Sequence, residues 1–270
     1  MPQDTFIVTL TPRQLPALRG WQAVPAHLAY RLGPGPHLFR ADSTALPRGG
    51  LMVVDDRDFG PLGSVSQPCQ EILRECQARG FSGAILDFEN HLPPLEQIAG
   101  QLDEQFARRG WTLYVSERYG SHAPHARVMI PSALSGGSLQ QRLVEALERF
   151  GESRVVLALE KRAEDFFLPS PTGSGQPLTD QELKDLMTRL SPSVFFSGEL
   201  CARYFTYMSR TNGAHFVLFD DGDTLRRKIE VARRLGIRAF LAPWTEISPY
   251  AAQLGLPKKP EPQRPGRRGG

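Results

Sequence analysis

The chain has 270 residues, 40% hydrophobic and 23% charged, which is the balance of a folded globular protein and excludes a disordered or membrane-embedded one. The net charge of +3 conceals an asymmetry: Lys258, Lys259, Arg264, Arg267 and Arg268 against Glu261 place +4 in the last fifteen residues and leave −1 for the rest. That excludes a basic footprint for nucleic acid on the folded part. No run approaches about 18 apolar residues, and MPQDTFIVTLTPRQ has neither a basic nor an apolar leader segment, so no membrane partner, no secretion signal and a cytoplasmic location are expected.

Short β-rich runs alternate with amphipathic helical stretches, the pattern of parallel strands with helical crossovers. In chain order the predicted strands are FIVTL (6–10), HLAYRL (27–32), LMVVDD (51–56), GAILDFE (83–89), TLYVSE (112–117), RVMIP (127–131), RVVLALE (154–160), HFVLF (215–219) and RAFLAPW (238–244). Helix starts are marked by Ser66 before Pro68, by Pro93 and Pro94 opening the stretch to Arg109, and by Ser138 after two glycines. Thr179 and Glu182 have capping-box spacing ahead of the stripe Leu183, Leu186, Met187, Leu190. A last helix, about 223–235, carries Leu225, Ile229, Ala232 and Leu235 on one side. Cys69 and Cys76 share a helical stripe with Ile72 and Leu73 and read as core, and with Cys201 they form neither a CxxC pair nor an even set. Residues 256–270, rich in Pro, Gly and charge, read as a disordered basic tail.

Strand spacing is that of a barrel except for one interval. About fifty-five residues separate RVVLALE from HFVLF, too many for a structureless loop, so an insertion with its own secondary structure is expected there.

In such a barrel the reactive groups sit at the C-terminal ends of the strands. Those ends supply Asp55, Asp56, Asp87, Glu89, Glu117, Glu160 and Trp244. Carboxylates gathered in one cleft repel, which keeps a proton on at least one of them to higher pH and suits it to general-acid work. Strand side chains alternate, so Asp87 and Glu89 are expected to point together into the barrel mouth, with Leu86 and Phe88 facing the helices. The spacing by itself reads rather as an acidic pair that ends a strand and caps the following helix or holds a surface water. His122 and His125 lack a third ligand and do not read as a zinc site. GPGP at 33–36 is not a dinucleotide fingerprint, since its prolines remove donors. Ser135-Gly-Gly-Ser138 reads as a turn, with an anion site as the lesser alternative, and Tyr204, Phe205 and Tyr207 read as a sugar-stacking rim or as core of the insertion.

The run SGAILDFE resembles the DGxDxDxE motif on the fourth barrel strand of the family 18 glycoside hydrolases, the chitinase and spore-germination hydrolase group. SRVVLALEKRAEDFFLPSPTGSGQPLT resembles that family's seventh strand and the start of its α+β insertion, and HFVLFDDGDTLRRKIEVARRLGIRAFLAPW resembles its closing stretch. The resemblance covers roughly residues 50–245 and lies in the order and spacing of the motifs. It implies a (β/α)8 TIM barrel over 1–250, with a small α+β insertion at 161–221 between strands seven and eight and with HFVLF inside that insertion. It further implies hydrolysis of N-acetylglucosamine-containing glycans of the peptidoglycan or chitin type, without metal or other cofactor. Glu89 would protonate the glycosidic oxygen while the substrate's own acetamido oxygen attacks the anomeric carbon. Asp87 would orient that acetamido group, and Trp244 would be the floor on which the sugar stacks; the other reading of Trp244 is a core residue closing the barrel.

The sequence departs from the family where Ser82 and Ile85 replace two aspartates, and where Val128-Met-Ile-Pro131-Ser replaces the sixth-strand Met-x-Tyr-Asp. Tyr114, Glu117 or Tyr119 could replace the lost tyrosine, Glu117 or Glu160 could act as a second carboxylate, and Asp55 joins the substrate-contacting rim. Two other functions stay open: a carbohydrate-binding or scaffold protein that keeps the barrel without turnover, and a barrel enzyme that uses the acidic rim to hold a divalent cation. The resemblance also allows a spore-associated location.

Overall fold

The computed structural model describes residues 4–40, 48–60, 63–170, 173–209 and 213–259. Strands β1 (Thr5–Leu10), β2 (Val24–Gly33) and β3 (His37–Arg40) open the chain, followed by β4 (Leu51–Asp55), α1 (Ser66–Arg79), β5 (Gly83–Asp87), α2 (Pro93–Arg109), β6 (Thr112–Ser116), β7 (Arg127–Pro131), α3 (Leu139–Phe150) and β8 (Val155–Ala158). A second unit follows: β9 (Ala163–Leu168), β10 (Gln176–Pro177), α4 (Asp180–Leu190), β11 (Phe195–Ser197), β12 (Ala202–Ser209) and β13 (Gly213–Phe219). The chain then returns through α5 (Gly222–Arg234), β14 (Ala239–Pro243) and α6 (Trp244–Ile247).

Eight strands run parallel in the order β1-β14-β8-β7-β6-β5-β4-β2, and pairing of β1 with β2 closes them into a barrel. The (β/α)8 architecture is therefore present, with GAILD as the fourth strand. Strands β9 to β13 form a separate five-stranded antiparallel sheet between the seventh and eighth barrel strands, so HFVLF belongs to the insertion. Its helix α4 begins as the sequence predicts: the Thr179 hydroxyl accepts the Glu182 N–H (3.2 Å) and the Glu182 carboxylate accepts the Thr179 N–H (2.7 Å).

Two apolar layers follow from strand alternation. Ile7, Ala26, Val53, Ile85, Tyr114, Met129, Val156 and Leu241 fill the barrel interior, and their alternates, such as Val54, Leu86, Val115 and Leu157, join the helix faces in a larger outer core. Cys69 and Cys76 lie in that outer core, where burial pushes both thiols up to about 12. Gly83 begins β5 because a Cβ there would sit 2.0 Å from the Thr112 carbonyl oxygen.

Two features add to the sequence reading and a third differs from it. GPGP is the turn of a β2–β3 hairpin, with Gly35 at φ +74°, and β3 extends the sheet beyond the barrel. Between β6 and β7 the only helix is the short 3-10 turn Glu117–Tyr119. Residues 256–259, assigned by composition to the tail, pack on the barrel: Leu256 is buried, the Gln22 N–H donates to the Pro257 carbonyl (2.7 Å), and Lys258 lies over the Trp21 ring. Hydrophobic burial of Leu256 and backbone pairing outweigh the local Pro and Lys content. The remainder of the predicted tail, 260–270, lies outside the described residues. No described helix is long and apolar enough to cross a membrane.

Candidate functional site at the barrel mouth

The interior row of β5 runs Gly83, Ile85, Asp87, and that of β4 runs Leu51, Val53, Asp55. Asp55 and Asp87 are register partners, which sets two carboxylates side by side at the top of the barrel. Asp87 is open to solvent at the mouth yet walled by protein. Its proton is held more tightly than that of an ordinary aspartate, first because the walls strip water from the charged form and then because Glu89, Asp55 and Asp56 are negative neighbours. Asp55 is engaged by Arg57 (2.5 Å). Glu89 lies two residues beyond the end of β5, exposed, and is not hydrogen-bonded to Asp87. Neither caps the next helix, whose N-cap is Leu92.

Glu89 is placed by Asp56. The Asp56 carboxylate is fully buried and accepts the N–H groups of Glu89 (2.9 Å) and Asn90 (3.0 Å) and the Asn90 side-chain amide (3.1 Å). From the other side Tyr119, also fully buried, donates its hydroxyl to the Asn90 carbonyl and packs its ring on Phe88 (centroids 5.7 Å apart). Burial raises the Tyr119 phenol to about 12, so it remains a donor.

Across the mouth, Glu160 follows β8 on the interior row of Val156 and Ala158. Its carboxyl is pushed up by burial, then by Glu246, with Asp87 a further negative neighbour. Glu246, on α6, is likewise pushed up by burial while accepting the Lys161 N–H (2.6 Å). Asp55, Asp87, Glu89, Glu160 and Glu246 thus make one acidic ring. Ser116, beside Asp87 on β6, has a buried hydroxyl without a protein partner. Among the described residues no group of three or more His, Cys, Asp or Glu has the arrangement to hold a metal ion; His122 pairs with Glu96 (3.5 Å) and His125 with Asp103 (2.8 Å).

The other expected site residues are placed elsewhere. Tyr114 is in the barrel interior, one layer below Asp87, next to Ile85 in register. Glu117 points away from the interior and is paired with Arg142 of α3, at 3.1 Å through one contact. Trp244 follows the interior residue Pro243, so it turns outward. It is 7% exposed in the outer core, edge-on to Trp21 (6.5 Å), which is the packing of a core residue. Tyr204 and Phe205 lie on opposite faces of the insertion sheet, Phe205 and Tyr207 on the face that packs with α4. In place of the Tyr-Asp pair of the sixth strand, Pro131 ends β7, and the buried Ser132 hydroxyl accepts the Glu160 N–H (3.1 Å).

Asp56 and Glu246 are the residues that the sequence argument did not assign. Alternation would have found part of this: counting from Val53 turns Asp56 away from the mouth, and a carboxylate on the helix side needs donors. Glu246 carries no local signal, because only the closure of the barrel brings α6 to Glu160.

No protein-family model matches this sequence, and no curated protein matches it significantly. Solved structures do share the fold. The chain superposes on a chitinase from Chromobacterium violaceum with a TM-score of 0.69 at 14% identity, covering 93% of this chain and 98% of that one. A class V chitinase from Pseudomonas fluorescens gives 0.68 at 14% identity over 93% and 98%. The spore cortex-lytic enzyme SleL of Bacillus megaterium gives 0.64 at 12% identity, over 89% of this chain and 70% of that one. The architecture expected from the family 18 resemblance is the one found.

Proposed function

We propose that this protein is a glycoside hydrolase acting on N-acetylglucosamine-containing glycans of the chitin or peptidoglycan type, with Glu89 as the general acid. The observation that carries the reading is the position of Asp87: interior-facing at the top of the fourth barrel strand, next to Asp55, with its proton affinity raised by its walls and by Glu89. Two carboxyls side by side, one with a raised proton affinity, suit a division of labour in which one holds the substrate acetamido group while the other gives a proton to the leaving oxygen. Chitinases and spore cortex-lytic enzymes of the same fold support the choice of substrate class.

Tyr114 takes the part of the missing sixth-strand tyrosine. Of the three substitutes that the sequence offers, Glu117 is tied to Arg142 and Tyr119 to Asn90, whereas Tyr114 lies in the interior and has no hydrogen-bond partner among the described residues. Glu160, with Glu246 as a negative neighbour, forms the opposite wall. A second reading, binding without turnover, draws on Pro131 at the clamp position and on Trp244 packed into the core.

Incubation with chitooligosaccharides and with peptidoglycan separates the two. Hydrolysis by the wild type that falls about 10²–10⁴-fold in Glu89→Gln supports the enzyme. Saturable binding with no product from either form supports the binding protein.

A further inference from the structure

We infer that Asp56 is a positioning residue for Glu89, its side chain continuing the sheet past the point where the backbone ladder between β4 and β5 stops. The inference rests on the reading of Glu89 as the acid. The last ladder pair is Asp55 with Asp87. Glu89 lies two residues farther on, where a loop residue would ordinarily sample many backbone conformations. Asp56 takes over in that gap. One carboxylate oxygen accepts the N–H of Glu89 itself (2.9 Å) and the other accepts the backbone and side-chain amides of Asn90 (3.0 and 3.1 Å). Fixing consecutive N–H groups at 89 and 90 fixes the backbone dihedrals of Glu89 and so the direction of its Cα–Cβ bond.

The chemistry of Asp56 fits this role. It has no exposed surface and no cationic partner among the described residues, so amide donors alone satisfy it. A buried carboxylate without donors would be costly, and removing this one leaves three amide groups unpaired as well. The β4 side of the clamp is itself held, since the Asp56 carbonyl accepts the Phe59 N–H (3.0 Å). The Tyr119 hydroxyl on the Asn90 carbonyl closes the clamp from the helix side. Asn in place of Asp56 keeps the shape but turns an NH₂ group toward N–H donors, so it breaks part of the clamp with little change in packing.

The test reads Glu89 placement independently of turnover. Amide hydrogen exchange at Glu89 and Asn90 is measured in the wild type and in Asp56→Asn, with Asn90→Ala as a second variant that removes one donor and leaves the buried carboxylate in place. Exchange at 89 and 90 is expected to rise at least tenfold in Asp56→Asn and several-fold in Asn90→Ala, while exchange within β5 and β6 stays as in the wild type. On an accepted glycan substrate, kcat is expected to fall about 10–100-fold in Asp56→Asn with KM within about twofold, the signature of a misplaced group in a formed site. Wild-type exchange at 89 and 90 in both variants overturns the inference. So does a loss of kcat in Asp56→Asn without faster exchange there. Faster exchange at 89 and 90 in a protein whose wild type turns over no glycan upholds the clamp and removes the hydrolase reading instead.

Discussion

Two of the buried aspartates, Asp56 and Asp220, are satisfied in different ways. Asp220, where the insertion rejoins the barrel, accepts the Arg162 N–H (3.0 Å), the Thr224 hydroxyl (2.8 Å) and the ammonium of Lys228 (2.7 Å), itself 1% exposed. Its carboxylate is paired directly with a cation, Lys228. Asp56 has only amide dipoles, so its charge reaches its neighbours and adds to the proton affinity of Asp87. The Asp220 corner pairs its carboxylate with a buried ammonium, whereas the Asp56 corner holds its carboxylate with neutral amide donors only.

The largest expected effect comes from making the first corner like the second. Lys228→Met leaves Asp220 buried with neutral donors only and is expected to cost about 3–5 kcal/mol of folding stability, read by denaturant unfolding. A loss below about 1 kcal/mol would show that neutral donors suffice at both corners and would break the comparison.

A smaller effect of opposite sign is expected at the mouth. Because Asp87 has a raised proton affinity in the folded state, its stabilising contribution is complete below the ordinary aspartate range, near pH 3.9, and is lost as pH rises through the raised value. Asp87→Asn should therefore raise Tm at pH 7, by about 1–2 °C given the solvent at the open mouth, and the gain should vanish below about pH 4. An unchanged or lower Tm at pH 7 would mean that the acidic ring is not under electrostatic strain.

The smallest effect on the mouth is expected at Glu117. Its pairing with Arg142 and Arg149 is on the helix side of β6, so Glu117→Ala should cost about 1 kcal/mol or less and leave hydrolysis within about twofold. A collapse of activity would return Glu117 to the site and weaken the assignment of the mouth by strand alternation.

That assignment shows how far the sequence could be read. Local rules fixed what local physics decides: the Thr179–Glu182 capping box, the Pro93 helix start, and the β-rich runs that carry Asp55, Asp87 and Glu160 to the mouth, while the assignment of eight runs to the barrel and of HFVLF to the insertion came from the family 18 resemblance. Strand ends alone misdirect, because the residue after an interior position faces outward, as do Glu117 after Ser116 and Trp244 after Pro243. Asp56 was visible as an acid at the rim, but its three amide partners belong to a loop thirty-three and thirty-four positions away. Glu246 meets Glu160 only through barrel closure. Residues 256–259 were misread because composition weighs Pro and Lys, while Leu256 finds a pocket that only the folded barrel provides.

The most direct test of the central claim is a crystal structure of the Glu89→Gln variant soaked with an N-acetylglucosamine oligosaccharide. The account predicts a sugar seated across the mouth, its acetamido group on Asp87 and a glycosidic oxygen within hydrogen-bond reach of the residue 89 side chain. Oligosaccharide bound away from the ring of Asp55, Asp87 and Glu160, with the mouth occupied only by water, would contradict it.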